Sequence, residues 1–167
     1  MSKPVVYLSG PDRLKADAAE RLAAAKALVE QYGFAMAELP AEAIDINGDP
    51  RAMAELRMKI MDGCDLIIAD TNDFRGIEPF AGSSFDLGYC YAMEKKLYCY
   101  MPDTRSCGDR YPGKTSVNER GRKVDEKGFS LESGTLNLML DAPSTIVEGG
   151  LEDALKVAAK DYFGEVK

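Results

Sequence analysis

The order of apolar and polar positions predicts short strands that alternate with helices. Residues 4–8 form a nearly continuous apolar run, and the turn sequence Ser9-Gly10-Pro11 follows it directly. This pattern is typical of a buried parallel strand. Further apolar runs of strand length occur at 34–39, 65–70, 97–101 and 145–149.

Four intervening segments repeat their apolar residues at helical spacing. The first runs from Leu14 to Tyr32 and is followed by Gly33, a typical helix stop. After a polar connection at 41–48, Asp49-Pro50 supplies a cap and a first-turn proline for the second helix. The third helix is predicted from about 84 to 95, and the last spans 151–162.

This alternation predicts one α/β domain over residues 1–167, a three-layer sandwich with a five-stranded parallel sheet. Right-handed crossovers favour the strand order 2-1-3-4-5. Ligands of such sheets bind beyond the carboxyl ends of the strands, where the strand order reverses. The rule brings together residues 7–11, 70–76 and 82–86 at one edge of the sheet.

The polar, glycine-containing stretch at 102–134 shows no periodicity, which indicates a functional lid or a partly disordered loop. Its residues 108–115, GDRYPGKT, match the phosphate-binding pattern G-x-x-x-x-G-K-[ST]. Such a loop leaves a strand directly and opens a helix. Here PDTRSC intervenes and no helical stripe follows, so we predict a polar loop.

Composition and charge narrow the possible partners. The net charge is −7, which disfavours a partner that is a nucleic acid polymer. The N-terminal apolar run is too short for a signal sequence, and no run approaches the ~20 apolar residues of a membrane span. We therefore expect a soluble cytoplasmic protein without a membrane partner.

The chain contains no histidine, and this removes the most common general base and metal ligand. Its four cysteines lack the close pairing of zinc sites. We expect buried free thiols, no bound metal and no cofactor. Catalysis would then depend on carboxylate, hydroxyl, thiol, amine or backbone groups.

Asp86 is the leading candidate. The pattern places it in the first turn of the third helix, with Ser83 or Ser84 as the N-cap. A carboxylate there can simply compensate the helix dipole. It can also act as a nucleophile toward an electrophilic carbon, with Gly82 allowing a ligand to approach the backbone.

Other candidates at the same edge also have two interpretations. Tyr7 either packs in the core or directs its hydroxyl to Asp86. Ser9-Gly10-Pro11 is either a turn or a source of backbone N–H groups for a ligand. Arg75 is either a solvated loop residue or an anion contact, and Asp70 either ends its strand or contacts the ligand.

Five segments, in this order, resemble the nucleoside 2-deoxyribosyltransferases: VYLSGP, CDLIIAD, DFRGIEP, GSSFDLGY and LNLML, at 6–11, 64–70, 73–79, 82–89 and 136–140. The resemblance implies a flavodoxin-like (Rossmann-like) fold and base exchange on 2′-deoxynucleosides without a cofactor. It also implies a homo-oligomer with sites near subunit contacts. Deoxynucleosides and free nucleobases are the implied small-molecule partners.

The resemblance assigns the nucleophile to Asp86, its assisting tyrosine to Tyr7, and a residue of a neighbouring subunit's site to Asn137. Three positions depart from the family pattern: Asp86 stands where the family has Glu, Phe80 where it has a sugar-contacting Asp, and Arg57 where Asn or Asp meets the base. The implied substrate-binding residues are Ser9, Gly10, Pro11, Arg57, Asp70, Phe74, Arg75, Gly76, Phe80, Gly82, Ser83 and Asn137.

The expected reaction is a double displacement in which Asp86 carries the deoxyribosyl group between two bases. One alternative is hydrolysis of nucleosides or nucleoside 5′-monophosphates, with Ser83, Ser84 and Arg75 suited to a phosphate. A second alternative is a nucleotide-binding module that has lost activity.

Overall fold

The computed structural model describes residues 2–40 and 48–164. The strands are β1 Val5–Ser9, β2 Ala35–Met36, β3 Leu66–Asp70, β4 Lys96–Met101, β5 Ser116–Val117, β6 Lys123–Val124 and β7 Thr145–Glu148. The helices are α1 Ala18–Gln31, α2 Pro50–Asp62, α3 Ala81–Ala92, α4 Cys107–Arg110, α5 Leu138–Asp141 and α6 Leu151–Phe163. A 3-10 turn, Pro11–Leu14, links β1 to α1.

The main sheet is parallel and its strand order is β2-β1-β3-β4-β7. This confirms the predicted order, because β7 is the fifth strand of that sheet. The order reverses between β1 and β3, where Tyr7 pairs with Ile67. Polar residues that follow these two strands therefore lie at the same edge.

Successive residues of each central strand contribute to two separate apolar cores. Tyr7, Ile67 and Ala69 pack with Leu87 of α3 and Met61 of α2. On the other face the core lies beneath α1 and α6 and contains Val6, Val29, Phe34, Leu66, Ile68 and Leu155. Because both faces are covered, the strands read as continuous apolar runs.

Several local signals are confirmed. The Asp49 side chain accepts a hydrogen bond from the Arg51 amide at 3.0 Å and caps α2. Gly33 follows α1 with φ +88°, a conformation that favours glycine. The strand predicted at 34–39 is shorter, Ala35–Met36. Most of the connection predicted at 41–48 lies outside the described residues.

The stretch at 102–134 is more structured than its sequence pattern indicates. It contains α4 and an antiparallel hairpin of β5 and β6, with Cys107, Gly108 and Val124 buried. These elements span only two to four residues each, too few to produce a periodic signal. The letters GDRYPGKT overlap helix α4 and lead to β5, so they lack the strand-to-helix context of a phosphate-binding loop.

All four cysteines are free and buried, as predicted. Within residues 2–40 and 48–164, no helix is long and apolar enough to cross a membrane. In the same described ranges, no cluster of three or more Cys, Asp or Glu side chains is arranged to hold a metal ion.

Candidate active site

Asp86 lies in the second turn of α3, so its predicted place in the first turn is wrong. The helix begins at Ala81, and the carbonyl of Phe80 already accepts hydrogen bonds from the amides of Ser83 and Ser84 at 2.9 and 3.2 Å. Neither serine is the N-cap, because Phe80 holds that position without a side-chain cap. The macrodipole acts mainly on the first turn, so Asp86 needs other partners.

Those partners are Ser9 and Arg13. The Ser9 hydroxyl donates to Asp86 Oδ2 at 2.6 Å, and Arg13 Nη2 lies 3.3 Å from the same oxygen. The Arg13 and Asp86 side chains are only 4% and 6% exposed. Both contacts fall on Oδ2, and no described residue donates a hydrogen bond to Oδ1. Within the described part of the chain, the carboxylate is therefore held through one oxygen, Oδ2.

Arg13 was missed by the sequence analysis. It belongs to the 3-10 turn after β1, and its Nε donates to the Gly10 carbonyl at 3.1 Å, which directs the guanidinium toward Asp86. Its Nη1 is buried without a hydrogen-bond partner among the described residues. The Arg13 and Asp86 positions are 73 residues apart, so no local pattern relates them. The one available signal was a basic residue two positions after the Gly-Pro turn.

Tyr7 faces the same side of the sheet as Asp86. Of its two interpretations, the structure shows packing in the core and no hydrogen bond to Asp86. The Tyr7 side chain is packed in the core, and its hydroxyl has no hydrogen-bond partner among the described residues. Burial raises the pKa of Tyr7, and the negative charge of Asp86 raises it further, while the Arg13 guanidinium opposes both effects. Tyr7 is thus a neutral hydroxyl within electrostatic reach of Asp86 and Arg13.

Arg57 and Ser83 also reach this site. Arg57 projects from α2, where burial and then the charge of Arg13 lower its pKa, while Tyr7 and Asp86 oppose that shift. Ser83 is fully buried, with its hydroxyl 3.4 Å from the Ser9 hydroxyl. The structure therefore gathers two arginines, two serines and a tyrosine around one carboxylate. Five of these residues, Tyr7, Ser9, Arg57, Ser83 and Asp86, are among the candidates named from the sequence, and their roles stay predictions.

An aromatic cluster flanks the start of α3. Phe74 and Phe80 make an edge-to-face contact with ring centroids 5.2 Å apart, and the exposed Arg75 lies 4.9 Å above the Phe74 ring. A Cβ at Gly82 would lie 2.4 Å from a Phe80 ring carbon. The absence of a side chain at Gly82 therefore leaves room for the Phe80 ring. The neighbouring Gly76 has φ +144° and is exposed.

Asp70 ends β3 on the opposite face of the sheet from Asp86. Its Oδ1 accepts hydrogen bonds from the backbone and side-chain nitrogens of Asn72 at 3.0 and 2.6 Å. It lines a cavity of about 70 Å³ together with Leu8 and Tyr100, and Ser9 and Arg13, the partners of Asp86, line the same cavity. A Cβ at Gly10 would lie 2.9 Å from the Asp70 Cβ, so glycine permits the close approach of the two strand ends. Pro11 opens the 3-10 turn beside them.

Asn137 is engaged within its own chain. Its side-chain oxygen accepts from the Met139 amide at 3.0 Å and caps α5, and its Nδ2 donates to Glu132 at 3.0 Å. The next two residues, Leu138 and Met139, are 65% and 75% exposed. Helix α5 packs against α3, the helix that carries Asp86.

Together these features define an α/β protein whose candidate site is built around a single buried carboxylate at the carboxyl end of a parallel sheet. The family model described as nucleoside 2-deoxyribosyltransferase matches residues 6–139, and the chain belongs to this family. The matched region includes β1 except its first residue, all of α3 and Asn137. No curated protein matches the chain significantly.

Three solved structures are similar to this chain. A 2-desoxiribosyltransferase from Leishmania mexicana is 24% identical with a TM-score of 0.76, covering 96% of this chain and 99% of that one. A 2-deoxyribosyltransferase from Bacillus psychrosaccharolyticus is 12% identical with a TM-score of 0.53, covering 95% and 93%. A CMP N-glycosidase from Clostridium botulinum is 15% identical with a TM-score of 0.48, covering 92% and 96%.

Proposed function

We propose that the protein transfers a 2-deoxyribosyl group between nucleobases by double displacement through an ester of Asp86. The observation that carries the proposal is the state of Asp86, a buried carboxylate fixed through Oδ2 by Ser9 and Arg13. A nucleophile needs this combination of fixed direction and an available oxygen. Membership of the nucleoside 2-deoxyribosyltransferase family supports the same substrate class.

In the first step a lone pair of Asp86 Oδ1 forms the bond to the anomeric carbon. The bond from this carbon to the base nitrogen breaks, and its electron pair stays on the base. In the second step the nitrogen of an incoming base attacks the same carbon, the Asp86 carboxylate leaves, and the incoming base gives up its N–H proton. Two inversions give net retention, as in retaining glycosidases. A proton from another carboxyl group, a water or the incoming base neutralises the departing base.

Other side chains have supporting roles in this proposal. Ser9 fixes the orientation of Asp86 through Oδ2, and Tyr7 supplies a neutral hydroxyl beside it. Arg57, as the half-buried cation on α2, meets the base. Phe74 and Phe80 offer an aromatic surface at the start of α3 to the sugar.

The test is product analysis with one deoxynucleoside and a second, different free base. We expect the exchanged deoxynucleoside to form, with no loss of rate after chelator treatment. Intact-protein mass spectrometry should detect a deoxyribosyl adduct that maps to Asp86. Free sugar as the sole product would instead support hydrolysis, and binding without turnover would support an inactive nucleotide-binding module.

Asp86→Glu examines the departure from the family pattern. The longer side chain restores the family residue but must keep its contacts with Ser9 and Arg13. A displacement of about 1 Å at a nucleophile can change the rate about a hundredfold. A higher rate would mean that the site keeps the family geometry, and a lower rate would mean that Arg13 and Ser9 have adapted the site to aspartate.

We also propose a homo-oligomer in which Asn137 lies near the site of a neighbouring subunit. The exposed apolar side chains Leu138, Met139 and Phe85, on and near the helix that carries Asp86, support a subunit contact there. Sedimentation analysis should show an oligomer, and Met139→Asp should shift it toward monomer. A wild-type monomer at working concentration would contradict this proposal.

A further inference from the structure

The charge of Asp86 changes during the proposed reaction, while the charge of Arg13 does not. The free carboxylate carries a negative charge that pairs with Arg13 at 3.3 Å in a site where both side chains are almost fully buried. Ester formation removes that charge. The guanidinium is then left in the same buried position without its counter-ion.

Nothing else within the described ranges replaces this counter-ion. Asp86 is the one described carboxylate that forms an ion pair with Arg13, because neighbouring Asp12 pairs with Lys15 and Arg21. The other hydrogen bonds of Arg13 within the described ranges go to neutral oxygens, the Gly10 carbonyl and the Ser9 hydroxyl, and the Tyr7 hydroxyl beside it is neutral as well. Arg57, another nearby charged group, is also a cation, and burial and then the charge of Arg13 lower its pKa.

We propose that Arg13 is a positioning residue that favours release of the sugar from Asp86 and keeps the ester from accumulating. This inference rests on the proposed function. In the first step the carboxylate loses charge as the new bond forms, so the ion pair weakens and the barrier rises. In the second step Asp86 is the leaving group, and the returning negative charge meets a guanidinium already in place. Arg13 therefore slows esterification and speeds de-esterification.

The experiment measures how much enzyme is esterified during turnover. Wild-type, Arg13→Gln and Arg13→Lys proteins are each mixed with a saturating deoxynucleoside and a second base, and the reactions are quenched with acid. Intact-protein mass spectrometry then gives the fraction of each protein that carries the sugar ester. Gln keeps a hydrogen-bond donor without the charge. We expect it to raise the ratio of esterified to free enzyme about tenfold, which corresponds to ~1.4 kcal/mol. The Gln variant should also release, in an initial burst, close to one equivalent of base per active site.

Arg13→Lys should give an intermediate ratio, because its ammonium keeps the charge but loses the Nε bond to Gly10. If the Gln variant does not fold, the Arg13→Lys variant still tests the proposal. Arg21→Gln is the matched control: Arg21 is an exposed arginine in the same part of the chain, paired with Asp17, and its removal should leave the ratio at the wild-type value. A purely structural role for Arg13 would lower both half-reactions together without a rise in adduct.

The possible results distinguish a failure of this inference from a failure of the proposed function on which it rests. Base exchange with an adduct that neither Arg13 variant raises would overturn the role of Arg13 alone. Absence of both exchange and adduct in all variants would overturn the proposed function, and the inference with it. A raised adduct in Arg13→Gln, with the wild-type ratio in Arg21→Gln, is the expected result.

Discussion

Arg13 and Arg110 are equally buried but differ in how completely they are bonded. Each side chain is 4% exposed and each forms an ion pair, Arg13 with Asp86 and Arg110 with Asp73. Arg110 uses all three nitrogens, because Nη2 donates to the Thr135 carbonyl at 2.6 Å and Nε to the Arg105 carbonyl at 3.2 Å. Arg13 leaves Nη1 without a partner among the described residues.

The carboxylates differ as well. Asp73 is 45% exposed, so water also solvates it, whereas Asp86 is 6% exposed. Buried polar groups are normally satisfied, and each exception needs an explanation. The completely bonded Arg110 fits a structural role that ties the 102–134 stretch to the loop after β3. The incompletely bonded Arg13, next to a buried carboxylate, fits a site that changes its contacts during a reaction.

Asp86→Asn should give the largest effect. The amide keeps the size of the side chain but cannot act as the nucleophile, so we expect base exchange to fall by about a thousandfold or more. Removing the charge also leaves buried Arg13 unpaired, which costs about 3 kcal/mol. Exchange assays and urea unfolding measure the two effects. Full activity would contradict the assignment of Asp86.

Arg110→Met should mainly affect stability. It leaves the Thr135 and Arg105 carbonyls without their donor and removes the ion pair with Asp73, so we expect a loss of about 2 kcal/mol in the free energy of unfolding. Activity of the folded protein should remain within a few-fold of wild type. Arg105→Met is the control, since the Arg105 side chain is 65% exposed and its removal should change the free energy of unfolding much less than removal of Arg110. Equal losses in both variants would contradict the comparison.

Tyr7→Phe separates function from stability. The hydroxyl is buried without a partner in the described structure, so its removal should leave the free energy of unfolding unchanged or raise it by up to about 1 kcal/mol. If Tyr7 assists Asp86, exchange should still fall about tenfold. Unfolding curves and kcat measure the two effects. A stability loss with unchanged kcat would instead show that Tyr7 is only a core residue.

The fold was predictable because its signals are local. The apolar runs, the Asp49-Pro50 helix start and the Gly33 stop lie within a few residues of the elements they define, and alternation of strands and helices gives the sheet order. The sequence also grouped Tyr7, Ser9 and Asp86, because strand ends meet at the edge where the order reverses.

The rest of the site depends on contacts across long stretches of chain. Ser9 and Asp86 are 77 positions apart and Arg13 and Asp86 are 73 apart, and no periodicity reports such pairs. The start of α3 was misplaced because Ser83 and Ser84 are strong capping residues, yet the helix begins before them. The sequence placed Asp70 and Asp86 at the same edge of the sheet, but strand alternation places Asp70 on the other face.

Lys114→Ala should have the smallest effect. Lys114 is the lysine of the GDRYPGKT match, and if that match were functional the substitution would abolish magnesium-dependent nucleotide triphosphate binding. The residue is exposed, and among the described residues its one hydrogen bond is from the backbone amide to Glu126 at 3.1 Å, a contact that alanine keeps. We expect a change in unfolding free energy below about 0.5 kcal/mol and unchanged base exchange. Calorimetry with a nucleotide triphosphate and Mg²⁺ should show no binding to either protein. Binding that the substitution abolishes would show that burial and bonding are insufficient to distinguish structural from functional basic residues in this chain.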